Sequence, residues 1–304
     1  MLAALLAFGV IRSGPAVALD WPEWTIKTPD APGLGDMRSG AGDWIDRATL
    51  LRNIGNADVL AAGEIHPNPD HHALQAALLD AMIASGKRPT IVWEMVPPSL
   101  QGTLDEATDT SLLGTALEWE DRGWPAWEMY APIAELALAN DLPMRAGGID
   151  RDLTRALARG EASEADRDRL GLSIPWDTST EDALLRVLDD GHCNLVPQER
   201  LGPMLTVQRA RDGALAEAAK WGVAETGNAF VVAGNGHVRT DWGVAAVLNH
   251  TAPDLQVFSI GLIEVPLDPI QQPYDVTILT PPLETPDPCI ALRKRFQKPA
   301  PSSP

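Results

Sequence analysis

Four side chains in this sequence are of the types that activate water or hold a metal, and all four follow short apolar runs. Glu64 and His66 close Val59-Leu60-Ala61-Ala62-Gly63, Glu94 closes Thr90-Ile91-Val92-Trp93, and His237 comes shortly after Ala229-Phe230-Val231-Val232-Ala233. Two imidazoles and two carboxylates can bind a divalent metal ion; alternatively, one His acts as general base while a Glu fixes its tautomer. The first assignment makes Glu64, His66, Glu94 and His237 metal ligands. The second makes His66 and Glu94 the catalytic residues of a hydrolase, with Arg211 or Arg239 available for a developing oxyanion. The pattern is not that of a zincin, because His66 precedes the next helix instead of lying on it.

Residues so far apart meet only if a parallel sheet brings the carboxyl ends of their strands to one edge. The local grammar supports that. After His66 the chain reads Pro67-Asn68-Pro69, an Asn N-cap with Pro at the first helical position. Leu74, Ala77, Leu78, Ala81 and Met82 then recur at the spacing of one helical face, and Ser85-Gly86 ends the helix. His71 and His72, at the start of this helix, read as solvated side chains. Glycines on both sides of Asn235 suit a sharp turn with positive φ, or a close approach to a ligand.

Strands separated by helices give an α/β fold: a mostly parallel central sheet flanked by helices, with a helical cap over roughly 97–225. Asp43 to Asn53 reads as a short helix with Trp44, Ala48 and Leu51 on one side, and Trp119 to Ala139 as a helical region. Glu161 to Thr180 reads as a polar surface excursion. The helix from Pro197 to Lys220 carries an inner stripe interrupted by Gln208 and Asp212, which are either satisfied partners or one wall of a polar site. Residues 1–18 are expected to form a signal peptide, 19–42 an extended arm packed by Trp21 and Trp24, 43–290 the α/β domain, and 291–304 a flexible tail.

The chain of 304 residues carries 42 acidic and 24 basic side chains, for a formal charge of −18, so no nucleic-acid partner is expected. Leu2 to Ile11 is too short to span a bilayer, and no transmembrane helix is predicted; with Ala16-Val17-Ala18 it matches an export signal and implies a periplasmic or otherwise exported protein. Two cysteines, Cys193 and Cys289, suit an oxidising compartment, where an even count favours pairing. No Cys lies near the expected cleavage point, so the sequence gives no lipid anchor. The ten Trp are read as packing residues.

Taken together, Gly63-Glu64-Ile65-His66 with His72 and Gln75, Glu94, Trp127-x-x-Tyr130-x-Pro132-Ile133, Gln208-x-x-Arg211-Asp212, Gly234-Asn235-Gly236-His237-Val238-Arg239 and Asp287-Pro288-Cys289 resemble the ChaN-like haem-binding family of the Tiki superfamily. The resemblance covers roughly Trp44 to Cys289. It implies an α/β core with a helical cap, export, and haem binding linked to iron uptake, with haem as both cofactor and partner. Tyr130 would be the oxygen ligand, and Tyr130, His66, His237, Gln208 and Arg211 would form the cofactor site. The superfamily also contains metal-dependent proteases and erythromycin-esterase-like hydrolases that use the same strand-end positions, so a divalent metal ion remains the alternative cofactor. A homodimer is an assembly the sequence leaves open.

Overall fold

A computed structural model describes residues 21–27, 32–266 and 272–297. The expected signal peptide and the last residues of the expected tail lie outside them. Seven strands form one sheet: β1 (Met37–Ser39), β2 (Val59–Ala62), β3 (Thr90–Trp93), β4 (Met144–Ala146), β5 (Ala229–Val232), β6 (Val257–Glu264) and β7 (Val276–Thr280). Their order is β1-β7-β6-β2-β5-β3-β4. Every pairing is parallel except β1 with β7. β2, β3 and β5 are buried along their whole length, as strands covered on both faces must be, and this is why they read as uninterrupted apolar runs.

Alternate residues of these strands serve opposite faces. Leu60, Ile91 and Phe230 pack with Leu50 and Ile54 of α1 (Arg47–Asn56), Leu74, Leu78 and Met82 of α2 (Pro69–Ala84), and Ile133 of α5 (Trp127–Ala139). Val59, Val92 and Val231 pack with Leu215 and Ala219 of α9 (Gln198–Thr226) and with Val244 and Leu248 of α11 (Val244–Thr251). The caps foreseen for α2 form: the Asn68 side chain accepts a hydrogen bond from the Asp70 amide at 3.0 Å, and Pro69 opens the helix.

Several features depart from the sequence reading. The arm is not loop throughout, since Met37–Ser39 forms the antiparallel edge strand β1. It is also tied to α2, because the Thr25 and Ile26 amides donate to the Asp70 carboxylate at 2.6 and 3.1 Å. α1 begins only at Arg47, where Asp46 caps it, and Trp44 is left exposed against the Arg38 guanidinium. The polar excursion contains α7 (Glu164–Arg169) and leads into α8 (Thr178–Gly191).

The segment 97–225 is not one cap. A 3-10 turn at Pro98–Leu100 leads to α3 (Gln101–Asp105), α4 (Thr110–Ala116) and α5 beside the sheet, and β4 then joins the sheet itself. The helices set apart from the sheet are α6 (Arg151–Arg159), α7, α8 and the first half of α9, with a small core of Leu157, Leu170, Ala210 and Ala214. After β5 comes a four-residue helix, α10 (Asn235–Val238). Beyond β7, α12 (Pro288–Gln297) takes in the first seven residues of the expected tail, 291–297. Cys193, just past α8, is bonded to Cys289 in α12.

Candidate functional site

β5 lies between β2 and β3, so Glu64 and His66 after β2, Glu94 after β3 and His237 after β5 share one sheet edge. The backbone approaches closely there. A Cβ on Gly63 would lie 2.3 Å from the Asn235 amide oxygen, so that position favours glycine for lack of space, and one on Gly234 would lie 3.2 Å from the His66 ring, a tight contact that the ring would have to yield to. Neither glycine beside Asn235 has positive φ; the turn expected there is α10, and of the two only Gly234 is crowded, by the His66 ring, while a Cβ on Gly236 would meet nothing within 4 Å.

Two linked groups make up the edge. In the first, Glu64 receives the His66 Nδ1 at 2.5 Å, the His72 Nδ1 at 2.7 Å and the Tyr130 hydroxyl at 3.2 Å. Burial alone would raise the Glu64 carboxyl. The charge of His72 and the hydrogen bonds from His66 and His72 outweigh it and hold the group at about 2. His66 responds in kind: burial pulls it down, but the bond and charge of Glu64 raise it above the ordinary histidine value. The Gln75 amide donates to the Ala62 carbonyl at 2.9 Å and so fixes α2 to the end of β2.

In the second group Glu94 is buried. It accepts from the Gly234 amide at 2.7 Å, pairs with Arg211, and lies 3.4 Å from the His237 Nε2. Burial would raise this carboxyl too, and His237 with Arg211 lowers it. Asp212 holds the His237 Nδ1 at 2.6 Å; burial nonetheless lifts Asp212 to about 6. The Gln208 amide lies 3.2 Å from the same imidazole. Gln208 and Asp212 are therefore part of the site wall.

Several assignments change. His71 and His72 are buried, not solvated. The His71 Nδ1 accepts from the Ile65 amide at 2.8 Å and its Nε2–H donates to the Thr280 hydroxyl at 2.8 Å; burial depresses this neutral ring to about 3. Arg239 pairs with Asp241 and stacks on Trp242, away from the cluster. Tyr130 is fully buried with its ring 4.0 Å from His72 and 4.7 Å from Trp119, and burial and Glu64 raise its hydroxyl above the ordinary tyrosine value. In this arrangement the phenol donates to the Glu64 carboxylate. The metal reading of Glu64, His66, Glu94 and His237 also changes, because these groups pair with one another. Among the described residues no set of three or more His, Cys, Asp or Glu is placed to hold a metal ion.

The sequence reading missed two things. Trp93, Trp119, Trp124 and Trp127 form one aromatic wall with ring centroids 4.9 to 6.3 Å apart, and Trp124 stands 5.1 Å from the His66 ring. The three-residue steps Trp124, Trp127 and Tyr130 were the available signal. The second is a half-open groove of about 290 Å³ between α6, α8 and the start of α9. Ala158, Leu188, Pro203, Met204 and Val207 make it apolar, His192 lines it, and Gln208 and Arg211 join it to the strand-end cluster.

The family model for haem-binding uptake proteins of the Tiki superfamily, ChaN, matches residues 50–248. A comparison with curated proteins found no match. Among solved structures, the one described as cofacial heme binding to ChaN of Campylobacter jejuni is 17% identical with a TM-score of 0.65, covering 80% of this chain and 95% of that one. The type III effector HopBA1 is 14% identical with a TM-score of 0.46, covering 77% of this chain and 92% of that one.

Proposed function

The chain belongs to the ChaN family of haem-binding uptake proteins in the Tiki superfamily, and from that premise we propose that it binds haem in the groove beside α8 and α9 as an exported protein of iron uptake. The observation that carries the reading is the groove itself. A porphyrin needs apolar walls, a nitrogen, oxygen or sulfur donor for iron, and a cation for its propionates. Leu188, Met204 and Val207 provide the walls, His192 a donor, and Arg211 the cation. One Arg211 nitrogen is committed to Glu94, and a guanidinium has further N–H groups to offer a carboxylate. Bound there, haem would supply a ferric centre with an open redox couple.

The protein's part is to hold and screen that group. Glu94 and Gln208 orient the polar end of the groove, while the apolar end excludes water from the macrocycle. A half-open groove would leave part of a bound haem to be covered by a second haem or a second copy of the chain. Export is supported by the apolar run with Ala16-Val17-Ala18 and by the Cys193–Cys289 disulfide, a bond that persists in oxidising compartments. Among the described residues no helix is long and apolar enough to cross a membrane.

Titrating the purified chain with haemin should give a saturable Soret band, with sedimentation velocity run on the same samples to read the assembly state. Absence of any saturable change would defeat the haem reading. A sedimentation coefficient unaffected by haemin would remove only the second copy.

A further inference from the structure

Among the described histidines, His71, His72 and His237 have polar partners at both ring nitrogens. His66 spends its Nδ1 on Glu64 and likewise has no hydrogen bond at Nε2, but it sits in the polar cluster rather than the groove, and His250 lies exposed on α11, away from both. His192 differs. Its Nδ1 lies 2.6 Å from the Leu188 carbonyl, which only an Nδ1–H can satisfy, so the lone pair is left on Nε2. Among the described residues Nε2 makes no hydrogen bond, and the ring lines the apolar groove with Leu188, Met204 and Val207.

The backbone around this ring is held from both sides. The Cys193 amide donates to the Asp190 carbonyl at 2.8 Å and the Asn194 amide to the Asp189 carbonyl at 2.9 Å, which closes the end of α8. Cys193 and Asn194 both take positive φ, turning the chain away, and the disulfide ties that turn to α12. An imidazole whose Nδ1–H is held by a carbonyl, with Nε2 free and its backbone fixed, has the arrangement of a metal-ligating histidine. We propose that His192 Nε2 is the axial ligand of haem iron in this groove, a proposal that rests on the haem reading above. Tyr130, buried behind Glu64, takes no part in ligation.

The test loads the full chain with haemin, reduces it, and reads the iron–histidine stretch by resonance Raman. The intact protein should show the stretch, His192→Ala should lose it, and added imidazole should restore it. A stretch unchanged in His192→Ala would overturn the assignment while leaving haem binding standing; an intact protein that binds no haem would end both. Should His192→Ala fail to fold, His192→Gln keeps a polar side chain at the end of α8 and should lose the stretch in the same way. Diethyl pyrocarbonate footprinting of the unaltered protein gives a separate reading: haemin should protect His192 from modification, and equal labelling with and without haemin would overturn the proposal.

Discussion

The strand-end cluster and the cap groove lie side by side, joined through Gln208 and Arg211, yet they spend their polar groups in opposite ways. In the cluster, carboxylates, imidazoles and a phenol are buried and nearly all bonded to one another. In the groove, one imidazole has a nitrogen to spare among apolar side chains. A concentration of titratable residues therefore does not by itself mark where a ligand binds. Internal pairing can make such a cluster a keystone of the fold, while the neighbouring, chemically plainer surface keeps the free donor.

The contrast breaks most readily at Glu64. Replacing it by Leu strands His66, His72 and Tyr130 without their acceptor, and breaking a buried ion pair in this way costs about 3–5 kcal/mol. Urea unfolding reads the loss; a cost below about 1 kcal/mol would mean that the cluster is not the keystone described. The groove side has its own lever. Changing Cys193 and Cys289 together to Ser should cost about 2–4 kcal/mol of stability and also loosen the end of α8 that carries His192. Haem affinity should fall in this variant but not in a cluster variant that still folds, and equal losses in both would merge the two regions into one.

Tyr130→Phe is a finer probe. It removes one hydrogen bond to a charged carboxylate, worth about 1.5–3 kcal/mol, and should leave the haem spectrum as it was. A shifted Soret band would return Tyr130 to the iron. The gentlest probe is acid. His71, depressed to about 3 from an ordinary 6.5, stabilises the fold fully above pH 6.5, and that contribution drains away as pH falls toward 3. Glu64, depressed to about 2 from 4.5, adds a second loss below pH 4.5. Asp212, lifted to about 6 from 3.8, adds stability as pH falls through that range and offsets His71 between pH 6 and 4.5. Melting temperature should therefore fall mainly below pH 4.5, and His71→Gln should make it rise as pH drops from 6.5 to 4.5. A profile that His71→Gln leaves unchanged would place the acid sensitivity elsewhere.

Much of this was legible in the sequence, for a physical reason. β2, β3 and β5 are buried on both faces, so their apolar runs announce them, and Asn68-Pro69 announces α2. The meeting of Glu64, His66, Glu94 and His237 follows from parallel strand order. β1 was hidden because three residues carry no period, and only the edge of β7 makes them a strand. His192 was hidden because its tautomer depends on the Leu188 carbonyl and its surroundings on Met204 and Val207 of another helix. The role of Tyr130 turned on whether its hydroxyl faced Glu64 or open space, which motif spacing does not specify.

The bond between Cys193 and Cys289 joins positions 96 residues apart and so makes a covalent ring that contains α9, β5, α10, α11, β6 and β7. β2 lies outside the ring in sequence, yet in the sheet it is gripped between β5 and β6, two strands of that ring. A protease that cuts once within the ring yields two pieces that stay joined until the disulfide is reduced, and drawing β2 out requires breaking its pairing with two strands of the ring at once, whereas β1 and β4 are edges.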